Sequence, residues 1–304
     1  EEDVYEVGQK IFYNIFTHFS DKEVSPIPFK RIPYKEAMLK YGSDKPDLRN
    51  PLLIEDLTTI LSKSTFEPFK TLNIRGIKVD NIDKSNSWYK KIEEYIKSLG
   101  ATGMSYIKVN EDMTFKSSID KFLTDDLRKE LIEKCHLNKG SALFILADNK
   151  HKIDKLAGLL RTKLGNELDL INKNKFEFCI INDFPMYEYN EEENTWDFGH
   201  NPFSMPKGGI EALTKENMEN VVAHQFDFVC NGYEMASGAV RNHNIEIMKK
   251  AFELAGYTEE DVENKFRSLY TAFQYGAPPH AGMAPGIDRI LNLFSTSSSV
   301  YPAN

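Results

Sequence analysis

The sequence predicts an α+β fold with a compact α+β block in its middle, and three observations lead there. Strand-length apolar runs are mixed with windows of helical period, and the strands of the last third look antiparallel. Aromatic residues are 12% of the 304 residues, 20 of them Phe, which favours large packed cores. The texture also changes twice. From about Phe66, short strands alternate with short helices in a Lys-rich stretch, and from about residue 166 longer strands resume. The expected division is 1–65, 66–165 and 166–304, on a chain long enough for about two domains.

Residues 2–19 put Val4, Val7, Ile11, Phe12, Ile15, Phe16 and Phe19 on one stripe behind an acidic first turn, which predicts a helix. A short helix is expected over 33–41, with Pro33 at its start and Gly42 past its end. Tyr41 to Arg49 is a charged loop. In the middle block, strands Leu72–Val79, Met104–Val109 and Ser141–Ala147 alternate with three helices. One carries Trp88, Ile92, Tyr95, Ile96 and Leu99; one follows Thr124; one uses Ile153, Leu156, Ala157, Leu160 and Leu164. The last block holds strands Phe176–Ile181, Trp196–Phe198, Phe226–Cys230 and one around Glu234 and Arg241. A helix through Ile245, Met248, Ala251 and Phe252 stops at Gly256, and Thr258 caps the next. Tyr275 to Arg289, dense in Gly and Pro, is expected to break regular structure before an apolar helix, Ile290–Phe294. Residues 208–220 show no period.

Net charge is −8, from 38 basic and 46 acidic residues, which argues against a general nucleic-acid coat protein and leaves room for a local RNA contact. Cys135, Cys179 and Cys230 are far apart and lack ligand spacing, so neither a disulfide framework nor a zinc site is expected, and a reducing compartment is the plain reading. No run approaches the roughly 18 apolar residues of a membrane span. The chain opens with Glu-Glu-Asp and no Met, so no secretory signal is expected and the chain reads as a fragment.

Three constellations can carry chemistry. In Gly276 to Arg289, Gly282 and Gly286 allow close backbone approach, and Arg289 falls in the first turn of a helix, whose free N–H groups favour an anion. The plain alternative is a turn with Arg289 in a surface ion pair. Asp227, Glu234 and Arg241 stand seven apart. Two carboxylates on neighbouring strands suit a Mg²⁺ that bridges nucleotide phosphates, and the arginine suits a carboxylate; an Arg–Glu pair across a sheet is equally open. In Gly199-His-Asn-Pro-Phe-Ser-Met-Pro206, His200 is either a ligand to an acidic molecule or a structural histidine. His18, His136, His151 and His224 read as surface or helix-end residues, and the Lys-rich helices as solvated faces.

Taken together these segments resemble the bacterial-type aspartyl-tRNA synthetases, class II aminoacyl-tRNA synthetases. The resemblance runs in collinear order through Tyr41-Gly-Ser-Asp-Lys-Pro-Asp-Leu-Arg49, Asp183-Phe-Pro-Met-Tyr-Glu-Tyr189, His200-Asn-Pro-Phe203, Asn231-Gly-Tyr-Glu-Met-Ala-Ser-Gly-Ala-Val-Arg241, and Gly276-Ala-Pro-Pro-His-Ala-Gly282 through Gly286-Ile-Asp-Arg289, the last similar to motif 3. It implies an antiparallel class II sheet flanked by helices, with 1–65 and 166–304 as two parts of a catalytic domain and 66–165 as an inserted domain of the GAD type. It also implies a fragment that starts just after motif 2 and is inactive alone, from a cytoplasmic, homodimeric parent without membrane attachment. Residues 295–304 depart from the family pattern.

Residue by residue, the resemblance implies that Arg289 holds ATP, with Gly286, Ile287 and Asp288 on the adenine side. Glu234 binds ATP through Mg²⁺, with Asp227 as the metal's second carboxylate. Arg241 reads the side-chain carboxylate of L-aspartate, and His200 closes over it. Asn201 stands where the family usually has a second His, and Pro285 where Phe or a small residue is common. The implied activity is an aspartate–tRNA ligase that charges aspartate tRNA, with asparagine tRNA open as a second acceptor, and with ATP, Mg²⁺ and the tRNA acceptor end as partners. A catalytically inactive tRNA-binding or regulatory paralogue is the alternative; an asparagine-forming relative is disfavoured by the middle block.

Overall fold

The structure is a computed structural model, and it describes residues 1–190 and 193–295. The expectation for 295–304 thus falls, past Ser295, outside the described residues. The chain forms two compact units, Glu1–Lys35 with Asn174–Asn304, and Glu36–Lys173. Helices and mainly antiparallel sheets make both, the α+β class expected.

In chain order the elements are α1 (Glu2–His18), β1 (Glu23–Val24), β2 (Lys30–Pro33), α2 (Tyr34–Tyr41), β3 (Ile54–Asp56), α3 (Thr58–Leu61), β4 (Asn73–Val79), α4 (Asn86–Ser98), β5 (Met104–Val109), β6 (Phe115–Lys116), α5 (Asp125–Cys135), β7 (Ala142–Asp148) and α6 (Lys150–Glu167). Then come β8 (Lys175–Phe176), β9 (Phe178–Pro185), β10 (Tyr187–Asn190), β11 (Thr195–Phe198), β12 (Val222–Cys230), β13 (Tyr233–Val240), α7 (Ile245–Leu254), α8 (Glu259–Gln274), β14 (Ala281–Pro285) and α9 (Ile287–Phe294). The patternless stretch after Gly208 forms two 3₁₀ turns, Gly209–Ala212 and Lys215–Asn220.

The Glu36–Lys173 unit is a five-stranded antiparallel sheet in the order β3-β4-β7-β5-β6. Alternate residues of β7 feed two cores: Ala142, Phe144 and Leu146 pack with α4 and α6, and Leu143 and Ile145 pack with α5. Burial on both faces explains why this strand reads as an unbroken apolar run rather than an alternating one. The unit begins earlier than residue 66. β3 hydrogen-bonds to β4, and Leu57 and Leu61 are fully buried in the α5-side core, so residues 54–61 belong to this sheet.

The other unit is built on the sheet β14-β13-β12-β9-β2, antiparallel except for β2 beside β9. α1 covers one face with rings: Tyr5 meets Phe226 edge-on at 4.8 Å, and Phe16 meets Phe176 and Phe178 at 4.8 and 4.9 Å. The helix is where expected, but its buried stripe is not. Tyr5, Gly8, Phe12 and Phe16 are buried, whereas Val7, Ile11 and Phe19 are exposed. Gly8 explains the choice, because a Cβ there would lie 2.6 Å from the Phe228 ring, so only glycine lets the helix settle on the sheet at this point.

The Gly/Pro segment after Tyr275 also differs from expectation. Ala281–Pro285 is an edge strand, β14, paired with β13 from Ala236↔Pro285 to Val240↔Ala281, and α9 starts three residues earlier than predicted. An edge strand tolerates Pro and Gly because only one side of its backbone must pair. Among the described residues no helix is long and apolar enough to cross a membrane. The three cysteines are buried, and none forms a disulfide among the described residues.

Candidate active site

The hairpin β12–β13 is where the expected carboxylates meet. Its turn is Asn231-Gly232, with φ of 53° and 89°, the two-residue left-handed turn that this dipeptide favours. Cys230 then pairs with Tyr233 and Val229 with Glu234, yet Phe228 pairs with Ala236. Met235 is therefore an extra residue, a β-bulge. The two-residue turn sets Glu234 opposite Val229, on the face of Val229 and Asp227, and the bulge carries the residues beyond it onto that face as well. Side chains alternate along a strand, so without the bulge Ser237 would oppose Phe226 and Arg241 would turn to the core side. Arg241 follows Ser237 and Ala239 at even spacing onto that same face, opposite the one α1 covers.

The same bulge ties in the neighbouring strand and helix. The Gly286 N–H donates to the Met235 carbonyl at 2.8 Å, and Gly286 is the cap residue of α9. Arg289, in the first turn of α9, reaches back: its Nη1 lies 2.6 Å from Glu234 Oε1 and 3.2 Å from the Glu234 carbonyl oxygen. The surface ion pair that plain chemistry expected for Arg289 is thus formed, and its partner is one of the candidate metal carboxylates. The Arg289 side chain is half exposed, Ile287 is exposed, and Glu234 is more enclosed. Asp227 is 3% exposed, in the middle of β12.

Arg241 is placed differently. Its backbone N–H donates to the His280 carbonyl at 2.9 Å, and its guanidinium lies 5.8 Å from the Phe203 ring centroid. Among the described residues it makes no ion pair with a carboxylate. A guanidinium stacked on a ring with its donors unspent by protein carboxylates is suited to a carboxylate that arrives with a ligand.

The segment after His200 is wedged between β12 and β13. Ser204 bridges Arg241 on one side and Pro206 bridges Ala223 on the other. Met205 N–H donates to Val240 O, Asn242 N–H to Phe203 O and His224 N–H to Met205 O, at 2.7–2.8 Å. His200 itself packs edge-on against Phe184 at 5.0 Å, with Tyr34 at 6.0 Å, and its Nε2 is 4.0 Å from Glu188 Oε1. His224, expected at the surface or a helix end, is instead half-buried in β12, 3.0 Å from Glu1 Oε2.

Two features escaped the sequence reading. Gln225 is buried and shares the face of Asp227; the signal was a polar pair at i and i+2 in a strand otherwise apolar from Phe226 to Cys230. Asp183, known from the sequence only as the first residue of the Asp183–Tyr189 segment, sits at φ 57° and pairs with Lys207, a backbone conformation that the segment did not announce.

The model of the family described as tRNA synthetases class II (D, K and N) matches residues 1–303. The aspartate–tRNA(Asp/Asn) ligase of Rickettsia bellii is 47% identical over 310 aligned residues, covering 99% of this chain and 52% of its own length. That of Ehrlichia chaffeensis is 45% identical over 306, with 99% and 52% covered. The chain spans about half the length of these curated relatives, and by both matches it belongs to the class II tRNA synthetases of the D, K and N group.

Proposed function

We propose that this chain is the catalytic part of an aspartate–tRNA ligase, which activates L-aspartate with ATP to aspartyl-adenylate and passes the aspartyl group to the tRNA acceptor end. The observation that carries the reading is the convergence on one sheet face of Arg241, which pairs with no protein carboxylate among the described residues, the Asp227 and Glu234 carboxylates, and Arg289 at the head of α9.

In this reading Arg241 holds the side-chain carboxylate of aspartate through two parallel N–H···O bonds. Asparagine is rejected because its amide leaves the guanidinium without a counter-charge. His200 covers the bound amino acid. Arg289, with Gly286, Ile287 and Asp288, holds ATP where the helix N-terminus favours phosphate. An α-carboxylate oxygen of aspartate attacks the α-phosphorus, pyrophosphate leaves, and the residues contribute mainly position and charge neutralisation. Asp227 and Glu234 would hold a Mg²⁺, as hard oxygen donors on adjacent strands and one face. Such an ion supplies neutralisation of phosphate charge. ATP binding requires Glu234 and Arg289 to part, so the ion pair holds the two groups ready and must open for use.

The rest of the proposal is a homodimeric, cytoplasmic parent enzyme, an inserted domain of the GAD type within Glu36–Lys173, and charging of asparagine tRNA as well, in line with the names of the relatives. An inactive tRNA-binding paralogue is disfavoured because such a protein has no use for Glu234, Arg241 and Arg289 together. Aminoacylation of total tRNA with labelled aspartate by the intact gene product, followed by sequencing of the charged tRNA, tests the reading. Aspartate on aspartate tRNA supports it; binding of tRNA without charging gives the paralogue instead.

A further inference from the structure

The geometry points to Gln225 as a specificity-determining residue of this site, donating a hydrogen bond from its side-chain amide to a carboxylate oxygen of the bound amino acid. The inference rests on the ligase reading and deepens it.

Gln225 stands two residues before Asp227 on β12, opposite Ala239, which itself stands two residues before Arg241. By strand alternation it shares the face of both charged groups. Gln225 is 6% exposed, and a buried carboxamide needs partners for both ends. One end is accounted for: Oε1 accepts the Asn201 N–H at 3.4 Å. That contact fixes the amide orientation, since a backbone N–H can only face the oxygen. The NH₂ group is then directed elsewhere, and among the described residues it donates to no protein acceptor. A donor left open on the face that carries Arg241 is suited to an oxygen brought by the ligand.

The other end of the amide has its own consequence. Asn201 is the centre of the turn after His200: its Oδ1 accepts the Phe203 N–H at 2.9 Å and its carbonyl accepts the Ser204 N–H at 3.2 Å. Phe203 in turn lies beneath the Arg241 guanidinium. Gln225 thus joins the strand of the candidate metal carboxylate to the turn that seats Arg241, while its free donor faces the ligand.

Two variants of the intact gene product separate the donor from the anchor. Gln225→Glu keeps an oxygen for Asn201 and loses the donor; Gln225→Met keeps the volume and loses both. The donor assignment predicts that each variant raises KM for aspartate by about tenfold or more in ATP–pyrophosphate exchange, because a hydrogen bond to a charged group is lost. KM for ATP stays within about twofold. A thermal melt confirms that each is folded; Gln225→Glu carries the distinction between donor and anchor, and a normal aspartate KM in Gln225→Met overturns the inference by itself if Gln225→Glu fails to fold. An anchor without a donor role would leave Gln225→Glu close to wild type while Gln225→Met is impaired, and that result overturns the inference, as does a normal aspartate KM in both. A wild-type protein with no aspartate-dependent exchange removes the ligase reading itself, and the ligand assigned to Gln225 with it.

Discussion

Glu234 and Arg241 share one sheet face although seven residues apart, because Met235 is an extra residue between them: Glu234 lies opposite Val229, and Ser237 opposes Asp227 and not Phe226. The Met235 carbonyl is taken by the Gly286 N–H at the start of α9. Deleting Met235 keeps both pairings but removes this carbonyl, so it should loosen α9 and lower exchange activity. Met235→Ala keeps the residue count. It should cost about 2–5 kcal/mol for the lost buried side chain and still leave measurable activity in the folded fraction. Urea melts and exchange rates on both variants separate the backbone contact to α9 from side-chain packing.

Arg289 is expected to contribute little to stability and much to the proposed activity. Its ion pair with Glu234 is half exposed, and such pairs are worth ~1 kcal/mol or less. Arg289→Ala should leave the denaturation midpoint nearly unchanged while ATP-dependent exchange falls by about 100-fold or more. Arg289→Lys should rescue little, since a lysine lacks the planar fork. A large loss of stability with normal ATP affinity would make the residue structural.

Arg241 should decide between the amino acids. Arg241→Leu is expected to lower kcat/KM for aspartate by about 100-fold or more, with KM for ATP little changed. Equal losses for aspartate and ATP would show a general collapse of the site.

In the Glu36–Lys173 unit, Arg161 is a buried clamp. It donates to the carbonyls of Leu52, Asp47 and Asn50 at 2.6, 3.0 and 2.7 Å, and Asn50 returns a bond to the Arg161 carbonyl. Burial pulls its guanidinium down to about 10. Arg161→Ala leaves these buried carbonyls unpaired and should destabilise the unit by about 3–5 kcal/mol, read as a shift in a urea melt.

Cys135 gives a pH signature. Burial pushes its thiol from 9.0 to about 12. A raised native value means that the stabilising contribution is complete below pH 9 and is lost as pH rises toward 12, because the unfolded thiol ionises first. Stability should fall over that window, and Cys135→Ala should flatten part of the fall. An unchanged alkaline slope in the variant would assign the effect to other groups.

Much of this architecture is legible in residues. Thr124 and Thr258 announce their helices and cap them through Leu127 and Asp261 N–H, and His136 ends α5 in the left-handed region. Asn231-Gly232 announces the hairpin. What stays hidden depends on partners far away in sequence. The bulge at Met235 follows from how β13 meets β12 and α9, which no local pattern encodes. β3 is three residues long, so its membership of the middle sheet shows only when it pairs with β4. The helix α1 buries Tyr5 and Gly8 instead of Val7 and Ile11 because ring packing on Phe226 and Phe228 outweighs a count of apolar positions. The site residues were legible as types and spacings, but a seven-residue spacing on a regular strand would have separated Glu234 from Arg241.

The proposed function makes Asp227, Glu234, Arg241 and Arg289 one site for aspartate and ATP. ATP–pyrophosphate exchange by the intact gene product, with aspartate, with asparagine and with no amino acid, tests that site as a whole. Exchange that requires aspartate and is at least about 100-fold weaker with asparagine is the expected result. No exchange with any amino acid, from a folded protein that binds ATP, would contradict it.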